Sequence, residues 1–374
     1  MGNSRDLTED FIEAGLLDGL GEREREARLA LLRELVEEGF SLEDLKLAAA
    51  EDRLGLLPVD RVLTDEPKYT AQEIAELVDV PLGFLLAVRQ ATGLALPDPE
   101  ERIFGDEDLE AARIFARLRA TGLPEDALLE VTRVLGSGLS QGAEAIRMLV
   151  ARWLLPQGVD EYELSLRSVQ AARELLPVTT PLLQYTLKAH MRDQIRNQQF
   201  GGLELAEGMS PSMRQVYIGF SDMVGFTRLG ELIDIDELGQ VLGGLNDEAR
   251  AAVHQPARIV KTIGDAVMFV SPAPEALLET VLALTERVER AGLPEIRSGL
   301  AAGVALSREG DWYGPPVNLA SRVTGVARPG SVLATAELRD AAREAYAWSS
   351  AGGWHLRGFK RPVPLYRVRR RESA

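Results

Sequence analysis

Cysteine is absent from the 374 residues. Neither disulfides nor thiolate metal sites are therefore available, as suits a reducing compartment. No apolar run approaches the roughly 18 residues needed to span a bilayer. The start, Met1-Gly-Asn-Ser-Arg-Asp6, lacks an apolar signal-peptide core and carries Asp6 where a myristoylation signal needs Ser or Thr. Walker-type Gly-Lys-Ser/Thr loops are also missing. These absences together predict a cytoplasmic protein with no transmembrane segment.

Positive charge is scarce in the first half. Residues 1–200 hold 22 Lys+Arg against 37 Asp+Glu, a net of −15, whereas residues 201–374 hold 20 against 21, a net of −1. The shift places a boundary near residue 200, and the length suits two or three domains. An N-terminal half this acidic is poorly suited to neutralising nucleic-acid phosphates, so no nucleic-acid partner is expected.

What is present in residues 1–176 is helical periodicity. Leu29, Leu31, Leu32 and Leu35 fall at helical spacing, as do Leu109, Ala112, Ile114, Phe115 and Leu118. The expectation is an all-α domain of short amphipathic helices, with Leu54–Val62 as a Pro-containing connection. Thr70–Val78 followed by Val80-Pro81 reads as helix, turn and helix. With Phe104–Leu109 and Leu118–Leu123, residues 68–123 resemble the winged helix-turn-helix of MerR-type regulators. The recognition helix of such a reader, Leu82–Thr92 here, holds one cation, Arg89, where several phosphate and base contacts are needed. Gly136-Ser-Gly-Leu-Ser-Gln-Gly142 has the wrong glycine spacing for a nucleotide loop and reads as helix-end punctuation.

Residues 177–205 read as a connecting helix and linker. Thr180 suits the cap, Pro181 the first turn and Gly201-Gly202 the end. Leu183, Leu187, Met191 and Ile195 recur every four residues, a stripe able to dock on either domain or on a second chain.

From residue 206 to 374 strand and helix patterns alternate, predicting an α+β domain with helices packed on a mostly antiparallel, ferredoxin-like sheet. Strands are expected at 214–222, 257–263, 265–271, 296–307 and 331–335 with a last pair near 346–369, and helices at 226–232, 236–253, 273–291 and 315–327. Val216, Ile218 and Phe220 alternate onto one strand face, and Asp222 ends the same row. The following Met223-Val-Gly-Phe226-Thr227 turns into a helix whose backbone amides suit an anion such as a triphosphate. Lys261-Thr-Ile-Gly-Asp265 follows an apolar run and places two opposite charges on one tight turn; alone this is ordinary turn chemistry. Asp222 and Asp265 at adjacent strand ends form a hard-oxygen pair suited to Mg²⁺ or Mn²⁺. In Asp311-Trp-Tyr-Gly-Pro-Pro-Val-Asn318-Leu-Ala-Ser-Arg322, Asn318 and Arg322 share a helix face and match a ribose oxygen and a phosphate.

These segments resemble the catalytic domain of class III nucleotidyl cyclases across residues 210–369. The resemblance implies conversion of ATP to 3',5'-cyclic AMP and pyrophosphate, with two metal ions on Asp222 and Asp265. It makes Lys261 and Asp311 the purine-selecting pair; lysine donating to N1 and aspartate accepting from the 6-amino group favour adenine. Asn318 would orient the ribose and Arg322 would stabilise charge on the α-phosphate. Phe226 and Thr227 would lie by the triphosphate, and Arg357, in His355-Leu-Arg357-Gly-Phe359, matches a late basic position contacting it. Family members work as antiparallel dimers, which implies a homodimer with two equivalent sites. The architecture is similar to soluble two-domain actinobacterial cyclases whose N-terminal half regulates activity, in some by pH. Two regulatory expectations follow: titration of His190 in the connecting helix, and an apolar ligand such as a fatty acid in the Leu-rich N-terminal domain. The competing readings are a ligand-responsive DNA-binding regulator and an inactive cyclase-like dimerisation module.

Overall fold

The apolar periodicities of the chain resolve, in a computed structural model, into two units, Met1–Met191 and Arg192–Ala374. The structure describes residues 7–64, 66–153, 159–197 and 213–371. The expected helix end at Gly201-Gly202 and the expected domain boundary at 205/206 lie outside the described residues.

The N-terminal unit is built of helices α1 (Thr8–Glu13), α2 (Glu22–Glu37), α3 (Leu42–Ala50), α4 (Leu57–Leu63), α5 (Ala71–Leu77), α6 (Leu82–Ala91), α7 (Asp106–Ala120), α8 (Glu125–Trp153) and most of α9 (Glu161–Asn197). Leu31, Leu32 and Leu35 of α2 are fully buried with Phe11, Leu45 and Leu54. Those leucines, the basis for expecting an apolar ligand, pack on one another. Arg28 of α2 pairs with Glu161 at the start of α9, and the Glu161 carbonyl lies 3.1 Å from where a Cβ on Gly55 would sit. α5 is capped by Thr70 and Glu73 reciprocally, which stops the chain from fraying where the helix-turn-helix begins. Arg89 donates to the Ala95 carbonyl at 2.7 Å and sits over the Phe104 ring. Its head group is thus committed within the unit rather than presented to DNA.

Three local expectations are overturned. Leu54–Val62 is not a plain connection but a 3₁₀ turn followed by α4, because Pro58 sits in the first turn where no amide is required. Gly136–Gly142 does not end a helix: all seven residues lie inside α8. Glycine is helix-compatible at a modest cost, and Gly136 is needed for space, since a Cβ there would come within 2.6 Å of the Thr92 carbonyl. Nor does a new helix start at Thr180. Helix α9 already runs from Glu161 through Pro177 and Pro181, and the Thr180 hydroxyl donates back to the Leu176 carbonyl at 3.2 Å. This back-bonding is a mid-helix habit of Ser and Thr.

The C-terminal unit carries one eight-stranded sheet in the order β2-β3-β1-β4-β6-β8-β7, with β5 on β4. Its elements are β1 (Met213–Met223), α10 (Phe226–Leu229), α11 (Ile235–Ala252), β2 (Arg258–Ile263), β3 (Ala266–Ser271), α12 (Pro274–Arg290), β4 (Ile296–Arg308), β5 (Asp311–Tyr313), α13 (Pro315–Val326), β6 (Val332–Thr335), α14 (Ala336–Ala341), β7 (Tyr346–Trp354) and β8 (Val363–Arg370). Among the described residues only the β4–β6 pairing is parallel, so the expected mostly antiparallel α+β domain is what forms. Val216 and Ile218 of β1 face Ala320 of α13, whereas Met223 lies on the other face with α12 residues Leu277 and Val281. The period-two alternation of β1 therefore feeds two cores at once. Gly299 lets α13 settle on the sheet: a Cβ there would lie 2.1 Å from the Thr324 amide nitrogen.

Candidate active site

The carboxylate pair is a consequence of strand register. Asp222 lies opposite Ala266 in the β1–β3 ladder, and the Met223 amide donates to the Asp265 carbonyl at 3.1 Å. Asp265 occupies the β2–β3 turn with Gly264, whose φ of +60° lies in the left-handed region that glycine tolerates without strain. Two acids 43 residues apart in sequence are thereby brought to one sheet edge. Burial raises the Asp265 carboxyl above its ordinary value; a backbone hydrogen bond within Asp265 lowers it, while the neighbouring Asp222 charge raises it further.

A residue that motif reading missed completes this corner. Arg297, the register partner of Asp222 on β4, donates Nη2 and Nε to Asp222 Oδ2 at 2.8 and 3.1 Å. The signal was present as a lone cation near the start of an otherwise apolar strand. Only the pairing of β1 with β4 shows which acid it meets.

The donor set fits a hard divalent ion. Among the described residues no three His, Cys, Asp or Glu side chains gather into a metal cluster, so the protein offers two carboxylates at this corner. Mg²⁺ and Mn²⁺ accept that number when phosphate oxygens and water fill the remaining positions.

Lys261 and Asp311 also meet. They come from β2 and β5, 50 residues apart, and form an ion pair, with the other Asp311 oxygen accepting from the Trp312 amide at 2.8 Å. The short strand β5, absent from the sequence expectation, is what carries Asp311 there. Asn318 and Arg322 sit one turn apart on α13 and are both exposed. Among the described residues, no hydrogen bond or ion pair joins them to the carboxylate corner.

The anion cradle is narrower than expected. The Met223 amide is spent on Asp265 and the Val224 amide donates to the Glu295 carbonyl at 2.8 Å. What remains are the first-turn amides of α10, at Phe226 and Thr227, which have no intrahelical acceptor. The Phe226 ring packs against the core under α11 and α12, and Thr227 is exposed. Arg357 is exposed in a turn after β7 rather than on a strand edge, anchored by its buried neighbour Leu356. His190 is exposed on α9.

Comparison with known proteins agrees with this geometry. Residues 9–195 match the adenylate cyclase regulatory domain, and residues 209–369 match the adenylate and guanylate cyclase catalytic domain. The fold of the C-terminal unit is that of a nucleotidyl cyclase catalytic domain. More narrowly, the chain belongs to the class III adenylate cyclases that join this regulatory domain to this catalytic domain. It is 39% identical over 364 residues to the pH-sensitive adenylate cyclase MT1302 of Mycobacterium tuberculosis, covering 95% of this chain and 91% of that one. An adenylate cyclase of Streptomyces coelicolor is 29% identical over 289 residues, covering 76% and 74%. Among solved structures, the adenylyl cyclase CyaB from P. aeruginosa aligns with a TM-score of 0.39 at 23% identity, over 44% of this chain and 98% of that one.

Proposed function

We propose that this enzyme converts ATP to 3',5'-cyclic AMP and pyrophosphate at sites shared between two copies of the chain. The observation that carries the reading is the corner formed by Asp222 and Asp265, with Arg297 beside it, on the same domain as the Lys261–Asp311 pair. Divalent cations held by the two aspartates would acidify the ribose 3'-hydroxyl and neutralise the departing pyrophosphate. The chain's own residues do the rest. Lys261 and Asp311, already held in register by β2 and β5, donate to and accept from the adenine edge. Asn318 orients the ribose, and Arg322 holds charge on the α-phosphate as the bond to the leaving oxygen lengthens. Arg297, paired with Asp222, would be a further candidate for phosphate contact. Thr227, the Phe226 amide and Arg357 are the remaining candidates for phosphate contact.

Asn318 and Arg322 are exposed, and among the described residues no hydrogen bond or ion pair joins them to the carboxylate corner. That supports a site assembled from two chains, with metal residues from one and base and transition-state residues from the other. Purified protein with ATP and Mn²⁺ should yield cyclic AMP and pyrophosphate, and GTP should be the poorer substrate; no product from ATP would refute the enzyme reading. Lys261→Ala and Asp265→Ala proteins, each inactive alone, should recover about one working site per heterodimer when mixed. Their failure to complement would place both residues in one chain's site.

The N-terminal unit is proposed to regulate this activity, by pH or by an apolar ligand, in keeping with the regulatory-domain match and with the pH-sensitive relative. Full-length protein compared with residues 203–374 across pH tests this, because an unchanged profile removes the regulatory role. A His190→Ala protein with an unaltered profile would exclude that histidine as the sensor.

A further inference from the structure

Strand β5 has little backbone to hold it. It is three residues long, lies off the main strand path, and among the described residues pairs with β4 alone, through Leu306–Tyr313, Ser307–Trp312 and Arg308–Asp311. The chain enters it through Glu309 and Gly310, at φ +53° and +78°, and leaves it through Gly314 at φ +138°. Two positive φ values in a row make the tight turn of a hairpin, and so short a hairpin is marginal by pairing alone. Yet β5 carries Asp311, the carboxylate that meets Lys261.

One side chain supplies what the backbone lacks. Trp312 is 7% exposed, whereas Tyr313 beside it is 49% exposed. The Trp312 side chain packs in the cluster that holds Val216, Ile218 and Val270 of the sheet and Ala320 of α13. Its indole Nε1 has no hydrogen-bond partner among the described residues. A buried donor left unmet works against folding, so the ring serves there through its apolar bulk and shape. Successive strand side chains point to opposite faces; with Trp312 turned into the core, Asp311 is turned out of it towards Lys261. The Trp312 amide then donates to Asp311 Oδ1 at 2.8 Å, while Oδ2 holds the Lys261 ammonium.

We propose that Trp312 is the positioning residue of the purine-selecting pair: its buried indole anchors β5 and so fixes the Asp311 carboxylate where it accepts from the 6-amino group of adenine. The inference rests on the proposed reading of Lys261 and Asp311. Adenine presents a donor at position 6 and guanine an acceptor. A carboxylate held in place repels the guanine oxygen; one free to swing aside admits it. Loss of the anchor therefore costs selectivity more than turnover.

The test uses full-length protein with Mn²⁺ and either ATP or GTP. Trp312→Ala should lower the ATP:GTP ratio of kcat/KM about ten-fold, through a higher KM for ATP with kcat within about three-fold of the parent protein. The Mn²⁺ concentration giving half-maximal rate should not move, because Asp222 and Asp265 are placed by β1 and the β2–β3 turn. Trp312→Phe keeps a ring in the cluster and should hold the ratio within about three-fold, as near-isosteric core changes are tolerated best. Val270→Ala opens a cavity in the same cluster from β3; it should lower the melting temperature and leave the ratio alone. Trp312→Leu gives the same reading as the alanine protein if the latter does not fold. An unchanged ratio in Trp312→Ala or Trp312→Leu overturns the proposal, as does an equal loss in Val270→Ala or in Trp312→Phe. Asp311→Ala separates the anchor from the reading beneath it. If Asp311→Ala abolishes the preference for ATP while Trp312→Ala retains it, the anchor alone is wrong. If Asp311→Ala retains the preference, the purine-selecting pair is wrong and the anchor falls with it.

Discussion

The two units solve the burial problem differently. In the C-terminal unit each sheet face has its own helices. β1 alone supplies Val216 and Ile218 to one core and Met223 to the other. In the N-terminal unit the first helices close a small core around Leu31, Leu32 and Leu35, but α8 and α9 extend apolar residues into solvent, among them Leu139, Leu149, Leu183 and Leu187. A sheet can satisfy its backbone and bury its side chains within one chain, and it can therefore hold catalytic groups rigidly. Long helices satisfy only their backbone; their side-chain faces stay open until another surface covers them. The difference gives one unit two closed cores and leaves the other with long helices whose apolar side chains are exposed.

The largest expected effect tests the precise half. Asp265→Asn should lower cyclic AMP formation by more than about 100-fold, as removal of a charge-positioning group does, while thermal unfolding monitored by circular dichroism stays essentially in place. A comparable fall in the melting temperature would show that the corner is structural. Gly299→Ala and Gly136→Ala probe one tightly packed glycine in each unit, at α13 on β4 and at α8 on α6. Each added Cβ would meet backbone atoms, at 2.1 Å and 2.6 Å respectively, so each should cost about 1–3 kcal/mol in denaturant titrations. If only Gly299→Ala destabilises, α8 is free to move off α6 and the N-terminal unit is looser than its buried residues suggest.

Caps give a smaller and more even pair. Asp234 accepts from the Glu237 amide at the start of α11, and Thr70 accepts from the Glu73 amide at the start of α5. Alanine at either should cost about 1 kcal/mol, and a marked inequality would mean that one unit unfolds before the other. The smallest effect concerns Tyr346 of β7. Burial, with Glu279 and Glu275 close by, pushes its phenol up to about 12. A raised folded-state value contributes stability fully present below the unfolded tyrosine value near 10 and lost as pH rises towards 12. Tyr346→Phe should therefore flatten the alkaline fall in stability of the C-terminal unit over that window, and leave the N-terminal unit unaffected.

Most of the candidate site was legible because its residues sit in short runs whose local structure is nearly forced. Lys261–Asp265 is a strand end and a glycine turn, and Asn318 and Arg322 are a helical i, i+4 pair wherever the helix lies. Arg297 was not legible as part of the site. It has no motif, and its meaning comes from facing Asp222 across a ladder formed 75 residues away. The errors in the N-terminal half share one cause. Thr180-Pro181 and Gly136–Gly142 carry strong local boundary signals, yet both lie inside continuous helices. A proline removes one helical hydrogen bond and a glycine costs roughly 1 kcal/mol, penalties that favourable neighbouring turns and, at Gly136, tight packing on Thr92 outweigh.

Local chemistry and periodicity thus sufficed to define a helical half, an α+β half and the charged and amide residues of the candidate site, because each is set by residues within a turn or two of one another. The tertiary structure decided which of them meet. Strand register joined Asp222 to Asp265 and Arg297, β5 brought Asp311 to Lys261, and packing on α6 covered only the first half of α8. Those outcomes depend on contacts between distant segments, whose energies no short stretch of sequence contains.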